Sequence, residues 1–184
     1  MLGGELHTQL VAAGARLAAA GLVHSSEGNL SARLDGRTCL VTPTGSVTGR
    51  MHGAELVKVT IDGRQLSPRA TSEVHMHLEI YRRRPEVAAI VHAHPPLVIR
   101  MAAEGRLPDP EALDGDEVVF GTVRGAPHFE EGSLALAKAV AEALADNAAC
   151  VLLDHGAVAV GSSIEVALRR MLNMERAAAR SGCR

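Results

Sequence analysis

The chain has 184 residues, 47% of them hydrophobic and 22% charged, enough apolar material to bury about 70% of its unfolded surface in one domain spanning residues 1–184. That excludes a largely disordered chain, and 18 glycines with 8 prolines mark too many connections for a plain helix bundle. With 19 Lys and Arg against 21 Asp and Glu, the formal charge is -2 and only 2% of residues are aromatic, so neither nucleic acid nor a membrane is an expected partner.

Leu6, Leu10, Ala13, Leu17 and Ala20 recur at helical spacing, which predicts a first helix over residues 5–20 ending near Gly21. Glu5, His7 and Arg16 interrupt any signal-type or membrane-spanning reading of this region. Alternation at Leu30, Ala32 and Leu34, a turn at Asp35-Gly36 and a run from Cys39 to Thr42 predict two short strands, and residues 56–63 a third. Residues 71–84 read as a helix capped by Thr71 or Ser72 and closed by Pro85. Residues 87–94 form an apolar strand, followed by a Pro95-Pro96 turn and a short helix to residue 103. Residues 109–123 supply a loop and an edge strand, 132–146 a helix, 151–161 a strand-turn-strand, and 164–179 a terminal helix. The alternation of helices with hairpins predicts an α/β layered domain around a mixed or antiparallel sheet. Cys39, Cys150 and Cys183 contain no CxxC pair, so no disulfide framework or cysteine zinc site is expected, and a cytoplasmic location suits them.

Chemistry concentrates in the histidines. His92 and His94 lie two apart on a predicted strand, so both imidazoles face one side and can offer nitrogens to zinc or another divalent transition metal. His155 can add a third nitrogen, with Gly156 allowing a tight bend, and Glu73 at a helix start can complete the site and move protons. The alternative is a set of ordinary surface histidines and a carboxylate that only stabilises a helix N-terminus. Glu73 and His77, one turn apart, make a rival metal-binding face, while His75 points elsewhere.

The sequence resembles the class II aldolase/adducin family, particularly its fuculose-phosphate-aldolase-like branch. The resemblance covers residues 6–180 and rests on GNLSAR at 28–33, TPTG at 42–45, TSE at 71–73, VHAHP at 91–95 and DHG at 154–156, in that order and spacing. It implies a three-layer α/β/α sandwich with a mainly antiparallel central sheet, assembled as a homotetramer with active sites near subunit boundaries. The family's metal ligands fall on His92, His94 and His155, and its acid/base on Glu73, which also joins the resting metal. That leaves His77 without a matching role. The implied cofactor is Zn2+, with Mn2+, Co2+ or Fe2+ as alternatives.

The resemblance also places a substrate phosphate at Gly28, Asn29, Thr44, Gly45, Thr71 and Ser72, where glycine N–H groups, hydroxyls and a helix start can gather around an anion. As isolated motifs these segments read equally as turns and caps. The implied reaction is reversible cleavage of a ketose 1-phosphate to dihydroxyacetone phosphate and an aldehyde. Decarboxylation, sugar-phosphate dehydration or epimerisation on the same scaffold, and a noncatalytic adducin-like interaction domain, are the alternatives. The three histidines with Glu73 favour an enzyme, and Glu73 itself favours carbon–carbon cleavage over the epimerase branch, which carries Asp there. Two departures stand out. The only tyrosine, Tyr81, matches no catalytic tyrosine of the family and is expected to pack, leaving Glu117, His128, Glu130 and Glu131 as possible second acid/bases. The stretch after the terminal helix is short, so a C-terminal closing tail is expected to be reduced or missing.

Overall fold

A computed structural model describes residues 2–52, 55–113 and 120–182. Its five helices are α1 (Leu2–Ala19), α2 (Val74–Arg83), α3 (Pro96–Ala103), α4 (Leu134–Leu144) and α5 (Ile164–Arg180). Its strands are β1 (Asn29–Arg33), β2 (Thr38–Val41), β3 (Val57–Thr60), β4 (Ala89–Ala93), β5 (Arg124–Ala126), β6 (Ala149–Leu152) and β7 (Gly156–Gly161). They form one seven-stranded sheet in the order β3-β2-β1-β4-β7-β6-β5. Every pairing is antiparallel except β5 with β6. The sheet is therefore mixed, with antiparallel pairing dominant.

The period-2 alternation of the central strands divides the core in two. Ala89, Val91 and Ala93 of β4, with Ala157 and Ala159 of β7, meet buried residues of α1, α3 and α5 such as Leu10, Leu17, Val98, Leu168 and Met171. Ile90, Val158, Val160, Cys150 and Leu152 point the other way and meet Leu78, Ile80, Leu136 and Val140 of α2 and α4. Helices thus cover both faces of the sheet. Small residues on the first face let three helices approach, whereas the branched side chains of the second fill the space under two.

Most expected elements form where the sequence places them, with one shift. Residues 114–119 of the expected 109–123 loop and edge strand lie outside the described residues; of the rest, 110–112 form a single 3-10 turn, and a strand follows at Arg124–Ala126. The N-cap of α2 is Glu73 rather than Thr71 or Ser72, and the Thr71 hydroxyl instead accepts from the Glu73 N–H. Cys39 and Cys150 are free and buried, and burial pushes both thiols up to about 12, so neither is a ready nucleophile or metal ligand. Among the described residues, no helix is long and apolar enough to cross a membrane.

One contact fixes the connection that leaves β4. Helix α3 starts at Pro96 behind Pro95, which has no side-chain acceptor to cap it. Glu175, reaching across from α5, accepts instead from the N–H groups of Leu97 and Val98 at 3.0–3.1 Å. A carboxylate at a helix N-terminus satisfies orphan donors and the dipole together. Replacing it with alanine (Glu175→Ala) is expected to cost about 1–2 kcal/mol, read as a lower urea midpoint at unchanged m-value.

Candidate active site

The end of β4 supplies two of the three histidines. His92 shares the sheet face of Ile90 and is fully buried, while His94 lies just past the strand and is partly open. His155 sits in the turn between β6 and β7, and β7 pairs with β4 with His92 opposite Val158. The three rings converge, their centroids 4.9–5.0 Å apart and mutually tilted by 66–72°. One ligand-type nitrogen from each lies within 4.8 Å of the others. Rings meeting edge to face around a common point aim lone pairs inward, as ligands of a small cation do.

Two glycines allow this closeness. A Cβ on Gly156 would lie 2.6 Å from the Ala93 carbonyl oxygen, 2.9 Å from His94 Cδ2 and 3.2 Å from His92 Cε1. Gly28 adopts φ +69°, and a Cβ there would lie 2.9 Å from the His92 carbonyl oxygen. Both positions exclude any side chain on steric grounds, and Gly28 on conformational grounds as well.

Glu73 closes the base of the site. Its Oε2 accepts from Asn29 Nδ2 at 2.7 Å and lies 3.1 Å from His92 Nε2. Its Oε1 is buried with no hydrogen-bond donor and lies 3.9 Å from His155 Nε2. Burial alone would raise the carboxyl pKa, but His92, the Asn29 amide and His155 outweigh it and hold the group well below the usual carboxylate range. His92 responds reciprocally: burial opposes its charge, yet the Glu73 carboxylate lifts its pKa. Its Nδ1–H donates to the Ala157 carbonyl at 3.0 Å, orienting Nε2 toward the cluster. Burial, and then proximity to His92, push His94 and His155 down to about 4, so both are neutral imidazoles at pH 7.

This donor set fits a divalent transition metal. Three imidazole nitrogens and one carboxylate suit zinc and its neighbours better than magnesium. The buried, unpartnered Glu73 Oε1 is an anionic oxygen that a cation would satisfy. His77, the rival ligand, is not part of the cluster. It is buried beneath Asn29, and His75 contributes nothing to the triad.

The expected phosphate segments also come together. The Thr42 N–H donates to the Leu30 carbonyl, the Thr42 carbonyl accepts from the Thr71 N–H, and the Thr42 hydroxyl accepts from the Leu30 N–H. A bridge pairs Pro43 with Ala70. Residues 28–31, 42–45 and 70–73 are thereby joined next to Glu73, with Thr44, Gly45 and Ser72 exposed and Thr71 buried. Asn29 differs from the rest because its amide is engaged with Glu73 and His77.

Of the candidates for a second acid/base, Glu131 reaches the cluster, with Oε1 3.6 Å from His155 Nε2 and the side chain 70% exposed. His128 and Glu130 are exposed, and Glu117 lies outside the described residues. Sequence reasoning overlooked Glu27, whose Oε2 lies 3.6 Å from His94 Nδ1. Its position directly before Gly28, where the chain presses on His92, was the available signal.

Comparison with known proteins completes the description. The sequence profile of the Class II Aldolase and Adducin N-terminal domain matches residues 8–181. The chain belongs to that family. It is 34% identical over 169 residues to a 3-oxo-tetronate 4-phosphate decarboxylase of Escherichia coli O6:H1, covering 86% of this chain and 77% of the relative. It is 35% identical over 145 residues to an L-fuculose phosphate aldolase of Methanococcus maripaludis, covering 77% of each. The crystal structure of L-fuculose-1-phosphate aldolase from Thermus thermophilus superposes with a TM-score of 0.85 at 30% identity, over 96% of this chain and 92% of that one. The family assignment agrees with the resemblance carried by the motifs.

Gly156→Ala is expected to lower stability by about 1–3 kcal/mol through overpacking and to abolish zinc retention, measured by elemental analysis of zinc-dialysed protein. His92→Ala should lose zinc as well, and His75→Ala should keep it.

Proposed function

We propose that this chain is a metal-dependent lyase that reversibly cleaves a ketose 1-phosphate to dihydroxyacetone phosphate and an aldehyde. The observation that carries this reading is the placement of Glu73, an ionised carboxylate with one oxygen tethered and the other bare beside three convergent imidazoles. His92, His94 and His155 would hold the metal, which when bound supplies Lewis-acid polarisation of a substrate carbonyl and stabilises the enediolate charge. Zinc is the metal this donor set suits best.

The chain's own groups divide the remaining work. Gly28, Thr44, Gly45, Thr71 and Ser72, with the second Asn29 N–H, hold the phosphate at the open start of α2. In cleavage, a base takes the proton of the hydroxyl on the aldehyde-forming carbon, the carbon–carbon bond breaks, and Glu73, once it has taken up a proton from solvent, delivers it to the donor carbon. In synthesis, Glu73 removes that proton. Glu131 is placed to exchange the hydroxyl proton, the task for which Tyr81, buried under the sheet, is unavailable.

A second reading is decarboxylation of a phosphorylated 3-oxo acid, favoured by the similarity to the decarboxylase relative. There carbon dioxide leaves in place of the aldehyde, Glu73 passes a proton taken up from solvent to the same kind of carbon, and no second acid/base is required. An adducin-like scaffold without catalysis has no use for a depressed carboxylate beside three neutral or paired histidines.

The deciding assay is exchange of the donor-carbon proton of dihydroxyacetone phosphate with deuterated solvent, run beside carbon dioxide release from a 3-oxo acid 4-phosphate. Zinc-loaded wild type is expected to exchange, and Glu73→Gln at matched zinc content to be slower by about 10²- to 10⁴-fold. Carbon dioxide release without exchange would transfer the assignment to the second reading.

The phosphate site has its own test in calorimetry with phosphoglycolohydroxamate, an enediolate mimic, and its dephosphorylated form. Ser72→Ala and Thr44→Ala should weaken only the phosphorylated ligand. Asn29→Ala should weaken both, because its amide also holds Glu73.

A further inference from the structure

The face that β1 turns toward α2 is polar throughout, carrying Asn29, Ser31 and Arg33, and α2 answers with Glu73, His77 and Tyr81. His77 Nε2 lies 2.5 Å from Asn29 Oδ1, and His77 Nδ1 lies 2.7 Å from Ser31 Oγ. Ser31 Oγ is in turn 2.9 Å from the Tyr81 hydroxyl. Ser31 and His77 are fully buried, and Asn29, Glu73 and Tyr81 nearly so. Shut away from solvent in this way, every donor must find an acceptor.

That requirement fixes each proton. Asn29 Nδ2 donates to Glu73 Oε2, which turns the Asn29 carbonyl oxygen to His77. An amide oxygen only accepts, so His77 Nε2 must carry a hydrogen. Burial drives the His77 pKa down to about 3, the ring is neutral, and Nδ1 is therefore a lone pair. Ser31 must donate to it, which leaves Ser31 Oγ to accept from Tyr81, whose phenol burial keeps protonated. Hydrogen bonds then run one way, from Tyr81 through Ser31, His77 and Asn29 to Glu73.

We infer that His77 is a positioning residue: by holding Asn29 in one amide orientation, it tethers Glu73 Oε2 and leaves Oε1 facing the histidine triad. The inference rests on the proposed function only in giving Glu73 a proton to move, and neither histidine nitrogen touches the metal cluster. Removing the ring would free Asn29 to turn over and present its carbonyl oxygen to a carboxylate, replacing attraction by repulsion at 2.7 Å.

Two measurements without substrate test this. Nitrogen-15 correlation spectra of the wild-type protein should show His77 as the Nε2–H tautomer at neutral pH; the Nδ1–H tautomer or an imidazolium would overturn the inference. Zinc affinity, measured by chelator competition, is expected to fall about 10- to 100-fold in His77→Leu. His77→Gln keeps a donor and an acceptor at similar separation and should recover most of the loss. Equal losses in both variants, or none in His77→Leu, would reduce His77 to packing. The tautomer is read on unmutated protein and so decides even if His77→Leu does not fold. Neither arm involves turnover, so absence of proton exchange in the wild type would count against the proposed reaction alone.

Discussion

The structure depends on a polar seam running through the middle of one of its two cores. Two residues along a strand advance about 6.7 Å and four along a helix about 6 Å. Asn29, Ser31 and Arg33 can therefore stay in step with Glu73, His77 and Tyr81 over three successive contacts. The far end is closed by Arg33, which donates to the carbonyls of Tyr81, Arg84 and Val87 and lies 4.6 Å over the Tyr81 ring. A slip of one residue on β1 would send all three polar groups into the opposite, apolar layer. Each buried group left unpaired would cost about 1–3 kcal/mol, so the seam specifies register more sharply than apolar packing around it.

Register, in turn, delivers the geometry of the histidine cluster. β1 lies beside β4 with Asn29 directly opposite His92, and β4 lies beside β7. The helix carrying Glu73 is locked onto β1, so the carboxylate arrives at the end of β4 where His92 and His94 emerge. The electrostatics follow from this neighbourhood. One carboxylate is held anionic, two imidazoles are held neutral by burial, and the third is drawn toward charge by the carboxylate itself.

Much of this was legible in the sequence because period and punctuation are local. The VHAHP and DHG segments carry strand alternation and a turn glycine, which put His92 and His94 on one side of a strand and His155 in a turn; that the three meet was implied by the family resemblance. The seam was not legible. Asn29, Ser31 and Arg33 read as strand residues with a polar side that would ordinarily face water, and nothing in a linear string says that this side is covered by a helix 44 positions later. For the same reason Tyr81 looked like packing alone, His77 looked either like a ligand or like nothing, and Asn29 looked only like a phosphate donor. The strand at Arg124–Ala126 was not legible because three residues carry too little alternation to detect.

The antiparallel pairing of β4 with β7 has a consequence for how the protein forms. His92 and the carbonyl of Ala157 that orients it are 65 positions apart, so the third imidazole joins the first two only after a long loop has closed. An unfolded chain offers a metal ion two histidines separated by one residue, a weak bidentate site. Ion capture at full strength is therefore reserved for chains that have already zipped the centre of the sheet. With a metal bound as proposed, its binding free energy would accrue to the folded state, which would make the ion a late-acting latch on native topology and a poor trap for misfolded chains.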